Sequence, residues 1–145
     1  MRYFLDTNIF VFYALGGENL DRETTAIFGD YENIIYVSAE VVKETMHLIR
    51  QKKIDVKHWK TPNDIWKSIT EWGFVVDYVK EEHIRTLGNL STAKDHKDPT
   101  DHIIIAQAIT NKMPVISSDS QFRHYKGQGL NLVFNNAHEK NRIAR

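Results

Sequence analysis

At 145 residues, 41% apolar and 26% charged, the chain has the size and composition of one soluble globular domain with a true core. Nineteen basic residues balance nineteen acidic ones, which excludes a global field for a polyanion and leaves any nucleic acid to local basic patches. The absence of cysteine excludes disulfides, thiolate metal sites and cysteine nucleophiles.

Tyr3-Phe4-Leu5 is a short apolar run bounded by polar residues and reads as a buried strand. Asp6 stands at its end, where ligands bind in an open parallel sheet. The ordinary alternative is that Asp6 opens a turn or caps the next helix. Ile9 to Ala14 continues as a helical turn or two, Gly16-Gly17 interrupts it, and a second segment spans Arg22 to Phe28. Ile34 to Val37 is a second strand, and Ser38 is the N-cap of a helix from about Ala39 to Lys52. Thr61-Pro62 offers an N-cap and an N1 proline for a helix to Trp72, with Gly73 at its C′ position. Phe74 to Val76 is a third strand, followed by a helix from Glu81 to Leu90. Trp59, Trp66 and Trp72 read as core or subunit contacts rather than a base-stacking surface.

Ser91 to Lys97 is a polar loop. Asp98 then caps a helix with Pro99 at N1, running to about Lys112. Pro114 to Ser117 is a fourth strand, ending at Ser118-Asp119, and Leu130 to Phe134 a fifth. Three prolines and seven glycines are scattered without a linker or repeat, so residues 1–145 are expected to form a single domain. Strands alternating with helices point to the α/β class, a three-layer α/β/α sandwich with a mostly parallel sheet of about five strands. No apolar run approaches the ~20 residues that span a bilayer. Met1-Arg2 is followed by no signal-peptide core, so no membrane partner and a cytoplasmic location are expected.

Four carboxylates stand out. On the helix after Ser38, at about 100° per residue, Val41, Val42, Thr45, Leu48 and Ile49 form the apolar stripe. Glu44 falls at its edge, whereas Glu40 points to solvent and Lys43, His47 and Arg50 lie on the far side. Asp101 heads the same face as Ile104, Ile105 and Ala108, where an ionised carboxylate is costly unless paired or metal-bound. A capping box with Asp98 is the plainer reading of Asp101, though Glu or Gln is the usual partner there. Asp119 follows its strand as Asp6 does. Carboxylates gathered in one cleft repel, by about 1 kcal/mol per pair at about 4 Å in water and nearer 4 at an effective dielectric of about 20. A hard dication, Mg²⁺ or Mn²⁺, removes that penalty, and such oxygen-ligated ions recur where water attacks a phosphodiester. None of the seven histidines is spaced as a metal-ligand pair.

The opening Phe4-Leu5-Asp6-Thr7-Asn8, Val37-Ser38 followed by Glu44, Asp98-Pro99-Thr100-Asp101-His102-Ile103-Ile104-Ile105-Ala106-Gln107-Ala108 and Ile116-Ser117-Ser118-Asp119-Ser120-Gln121-Phe122 together resemble a PIN domain. More narrowly, they resemble a VapC-type toxin of a toxin–antitoxin pair, over nearly the whole chain. The resemblance implies an acidic, metal-holding and catalytic quartet at Asp6, Glu44, Asp101 and Asp119. It also implies Mg²⁺- or Mn²⁺-dependent cleavage of RNA, a small antitoxin partner and a homodimer. Asp98 is implied to cap or support the acids, and Thr7 or Asn8, with Ser118, to orient them. Two departures stand out: His102 occupies a position where Arg is common in relatives, and the segment from Asp55 to Trp72 matches no motif.

RNA needs positive charge beside such a cleft. Lys94, His96 and Lys97 precede the Asp101 helix, and Arg123, His124 and Lys126 follow Asp119. Both groups are expected to flank the cleft, against the plain reading of solvated loop charge. The polar tail from Glu139 to Arg145 is expected to fray or to contact an antitoxin. A competing function is a non-catalytic PIN-type RNA-binding or scaffold module, which retention of all four acids counts against. An aspartyl-phosphate enzyme built on Asp6 is disfavoured by Asn8, where such phosphatases place a second Asp.

Overall fold

The computed structural model describes residues 1–138. The tail from Glu139 to Arg145 lies outside the described residues. At the centre of the sheet is β1 (Arg2–Leu5), flanked by β2 (Ile34–Ser38) and β4 (Val115–Ser117), with β3 (Val75–Asp77) and β5 (Leu132–Phe134) outermost. The order is β3-β2-β1-β4-β5 and every pairing is parallel. After β1 the chain builds outward through β2 and β3, then crosses back to lay β4 and β5 on the other side. Strand order therefore reverses between β1 and β4, the crevice where open parallel sheets place ligands.

The helices are α1 (Thr7–Ala14), α2 (Arg22–Gly29), α3 (Ala39–Arg50), α4 (Asp64–Trp72), α5 (Glu81–Asn89) and α6 (Pro99–Asn111). Local chemistry sets most boundaries. Ser38 accepts from the Glu40 N–H at the start of α3, and Asp98 accepts from the Thr100 N–H with Pro99 beginning α6. Gly73 ends α4 at φ 73°, a left-handed conformation that any side chain would strain. The start of α4 departs from expectation. Asn63, not Thr61, holds the N-cap position, because the Asp64 carboxylate reaches back to the N–H groups of Lys60 and Thr61 at 2.7 and 2.9 Å. That interaction folds Thr61-Pro62 into a preceding turn. A 3-10 helix from Ser120 to Gln128 occupies a segment to which the sequence reading assigned no element. No helix among the described residues is long and apolar enough to cross a membrane.

Two features of the core position the site. In α6, Ile103 to Ala108 are all buried, so this helix is wrapped on every side rather than amphipathic, and its first turn is pressed into the interior. The second feature is an aromatic cluster around α1. Phe10 packs against Trp59, Trp72 and Phe74 with ring centroids 6.2, 6.0 and 6.5 Å away. Trp59 is buried and donates its indole N–H to Ser68 Oγ at 2.8 Å. The segment that matched no motif thus closes the core over α1. Trp66 is 39% exposed and stands apart from it. Phe10→Ala is expected to cost about 3–5 kcal/mol in urea unfolding, because the surrounding rings cannot all collapse into the void.

Candidate active site

The register of β1 and β4 sets the first carboxylate. Leu5 pairs with Ile116, and the Asp6 N–H donates to the Ile116 carbonyl at 3.0 Å. The next residues along, Asp6 and Ser117, therefore face one another at the carboxyl edge. The Ser117 hydroxyl donates to Asp6 Oδ2 at 2.7 Å, and the Thr7 N–H donates to Asp6 Oδ1 at 2.7 Å. Ser117 Oγ also accepts from the Asp119 N–H at 3.0 Å, tying two of the acids to one hydroxyl. The serine bonded to Asp6 is thus Ser117 rather than the expected Ser118, which is half-buried. Alternation along the strand is the signal: Ser117 shares a face with Asp119, two residues on. Thr7 is buried against the acids and Asn8 is exposed.

Asp6 is only 2% exposed, and burial pushes its carboxyl up to about 8, with the neighbouring Asp101 and then Asp119 charges adding to the effect. Asp101, from the first turn of α6, is pushed up to about 7 by burial first and then by the charges of Asp98, Asp119 and Glu44. The acids are therefore close enough to oppose one another's ionisation, and Asp101 is the one that feels most of them. Glu44 is half-buried and also raised, chiefly by burial. The Thr100 hydroxyl opposes that rise, the Asp98 charge adds to it, and the Thr7 hydroxyl again opposes it. Asp98 is exposed and acts as the cap of α6. Asp119 accepts from the Gln121 N–H at 2.9 Å, which begins the 3-10 helix.

His96 sits elsewhere than expected. It is 4% exposed, with Nε2 2.8 Å from Asp101 Oδ2 and Nδ1 2.8 Å from the Tyr125 hydroxyl. It is an interior group of the acid cluster and not part of a basic flank. Ligand atoms of His96, Asp101 and Asp119 all lie within 4.8 Å of one another. Sequence spacing could not reveal this grouping, because His96 lies in a loop and Asp119 on another element. Lys94, Lys97, Arg123, His124 and Lys126 are exposed. The Arg123 guanidinium lies 4.1 Å above the Phe134 ring.

The donor set fits a hard divalent cation. Among the described residues no lysine or arginine is ion-paired to Asp6, Glu44, Asp101 or Asp119. Thr7 Oγ1 is buried beside the acids, near enough to Glu44 to lower its carboxyl and with no other partner among the described residues. Buried carboxylates left without counter-charge are stabilised either by protons or by a cation. An open groove of about 560 Å³ leaves Glu44 along α3, and Lys43, His47, Arg50 and Lys53 line it.

Fold and site together define an α/β domain whose acid cluster, at the switch point of a parallel sheet, is ion-paired to no lysine or arginine among the described residues. The chain belongs to the PIN domain family, whose profile matches residues 3–128, and members of that family are generally nucleases. No curated protein matches the sequence. Similar folds occur in VapBC2 from Rickettsia felis bound to a promoter DNA fragment (TM-score 0.68, 19% identity, 93% of this chain and 99% of that one). The same holds for DNA-bound VapBC from Salmonella typhimurium (0.66, 13%, 92% and 98%). A third is VapBC-5 from Mycobacterium tuberculosis (0.63, 15%, 92% and 98%). At these identities the likeness establishes the fold.

Proposed function

We propose that this chain is a Mg²⁺- or Mn²⁺-dependent endoribonuclease, the toxin of a type II toxin–antitoxin pair, acting in the cytoplasm. The observation that carries the reading is the acid cluster itself: Asp6 and Asp101, buried and raised to about 8 and about 7, with no lysine or arginine ion-paired to them among the described residues. Asp6, Glu44, Asp101 and Asp119 are the residues to hold the ion, with Thr7 Oγ1 as a further oxygen. When bound, such an ion is a Lewis acid that activates water and stabilises the leaving oxygen of a phosphodiester. The chain's own part is preorganisation. Thr7 N–H and the Ser117 hydroxyl fix Asp6, the Gln121 N–H fixes Asp119, and His96 fixes Asp101, so none of these acids reorients as charge develops.

A polyanionic substrate must reach four acids, so cations have to stand beside them. The groove along α3 offers His47, Arg50 and Lys53 leading away from Glu44. The Lys43 ammonium is held 2.8 Å from Glu40. Lys94, Lys97, Arg123, His124 and Lys126 supply exposed charge on the loops around α6 and the 3-10 helix. The VapBC composition of the similar structures supports a small antitoxin as partner, and a homodimer accords with the VapC-type resemblance.

The test is cleavage of single-stranded and structured RNAs by the purified chain with Mg²⁺ or Mn²⁺, with chelator as control. Cutting that requires the ion is expected. Intact RNA under all conditions, with the acids unmodified and the protein folded, would overturn the proposal. In the same assay Arg50→Glu combined with Lys53→Glu is expected to raise KM about tenfold with kcat unchanged. Loss of two phosphate contacts should flatten the log–log salt dependence of single-strand binding by about 1.4.

A further inference from the structure

We infer that His96 is a positioning residue for Asp101, an imidazole whose tautomer is set by Tyr125. The inference rests on the acids being a metal site. Three hydrogen bonds determine the direction of the relay. The Ala93 N–H donates to the Tyr125 oxygen at 3.0 Å. Tyr125 is fully buried, so its own proton needs an acceptor, and the one within reach among the described residues is His96 Nδ1 at 2.8 Å. That leaves the ring proton on Nε2, which donates to Asp101 Oδ2 at 2.8 Å. This is the side-chain hydrogen bond that holds Asp101 among the described residues; without it Oδ2 is a buried oxygen free to turn.

The same chain of donors excludes His96 from ligating the ion itself. Nε2 carries its proton and has no lone pair to offer, and turning the ring over strands the tyrosine proton. His96 thus holds one oxygen of Asp101 and leaves the other without a side-chain hydrogen bond among the described residues. His102 steadies the arrangement: its Nε2–H donates to the His96 carbonyl at 2.8 Å, and the two rings meet edge to face at 4.8 Å. The histidine at 102, unusual against the family resemblance, therefore works as a brace for the loop that carries His96. Second-layer hydrogen bonds of this kind fix ligand orientation, and their loss lowers metal affinity about 10–100-fold.

The experiment measures Mn²⁺ affinity by electron paramagnetic resonance on the chelator-stripped full chain, alongside ¹⁵N spectra of the histidine rings. His96→Leu is expected to bind Mn²⁺ about 10–100-fold more weakly. His96→Gln, whose amide nitrogen reaches the same oxygen, should recover most of that loss, which a merely space-filling role would not predict. Tyr125→Phe, which touches no acid, should weaken binding and move the His96 proton off Nε2. Equal affinity in wild type and His96→Leu would overturn the inference, as would a bare Nε2 in the wild-type spectrum or ¹⁴N coupling from an imidazole bound to Mn²⁺. Should His96→Leu fail to fold, the glutamine variant and the wild-type spectra still decide. A wild-type chain that binds no Mn²⁺ would sink the metal reading of the site and this inference with it; in every other failure the parent chain still binds.

Discussion

Asp6→Asn is expected to lower metal-dependent RNA cleavage at least about 100-fold while leaving the fold intact. The substitution keeps the shape of the side chain. Thr7 N–H still finds an oxygen, and the Ser117 hydroxyl can turn to accept from the new amide. What disappears is a charge that lies 2% exposed at the switch point between β1 and β4. Asp101→Asn should do the same from α6, since Asp101 is the acid on which the charges of Asp119 and Glu44 both act. The fold is checked by circular dichroism and the loss by initial cleavage rate across an ion titration. Variants that cut normally would separate these acids from the chemistry.

The ion-free protein is expected to lose stability as pH rises from 4 to 8, the reverse of an ordinary salt-bridged carboxylate. Asp6 and Asp101 are pushed up to about 8 and about 7, from 3.8 in an unperturbed aspartate. Between those limits the folded chain keeps protons that the unfolded chain has released, so raising the pH favours unfolding. The contribution is complete below about pH 4 and is lost as the pH passes 7 and then 8. Asp6 and Asp101 act on one another, so the fall is spread over that window. Even one pKa unit realised is about 1.4 kcal/mol, roughly 3 °C in Tm for a chain of this size. Melting curves of chelator-treated protein at pH 5, 7 and 9 measure it. Asp6→Asn should flatten the dependence and raise Tm at pH 8, so the change that abolishes cleavage stabilises the ion-free chain. Added Mn²⁺ at pH 8 should restore the wild type, since an ion that binds only the folded state stabilises it by mass action. A wild-type Tm that rises steadily from pH 5 to 9 without metal would contradict this account.

Short-range chemistry carried much of the fold. Tyr3 to Leu5 and Ile34 to Val37 are apolar runs bounded by capping residues, and Asp98-Pro99 announces α6 by a cap and a fixed φ. These signals are local, so they survive without neighbours. Where a side chain reached across several residues, as Asp64 does to Lys60 and Thr61, the boundary of α4 shifted. The 3-10 helix from Ser120 to Gln128 is hidden in the sequence for a related reason: its cap, Asp119, is also the acid that follows β4.

The site divides along the same line. Asp6 and Asp119 at strand ends, Glu44 at the edge of an apolar stripe and Asp101 heading another were legible as carboxylates in unfavourable places, because period and position alone betray an inward-facing charge. Their company was not. That Ser117 rather than Ser118 grips Asp6 follows from the register of β1 against β4. That His96 is an interior donor follows from a loop, a helix start and a 3-10 helix converging on Tyr125. Which residues bear charge and which elements carry them could be read along the chain, since those depend on a few near neighbours. Strand order, hydrogen-bond partners and the depth of burial that raises Asp6 and Asp101 came only with the folded molecule, because they depend on contacts between residues up to 116 positions apart.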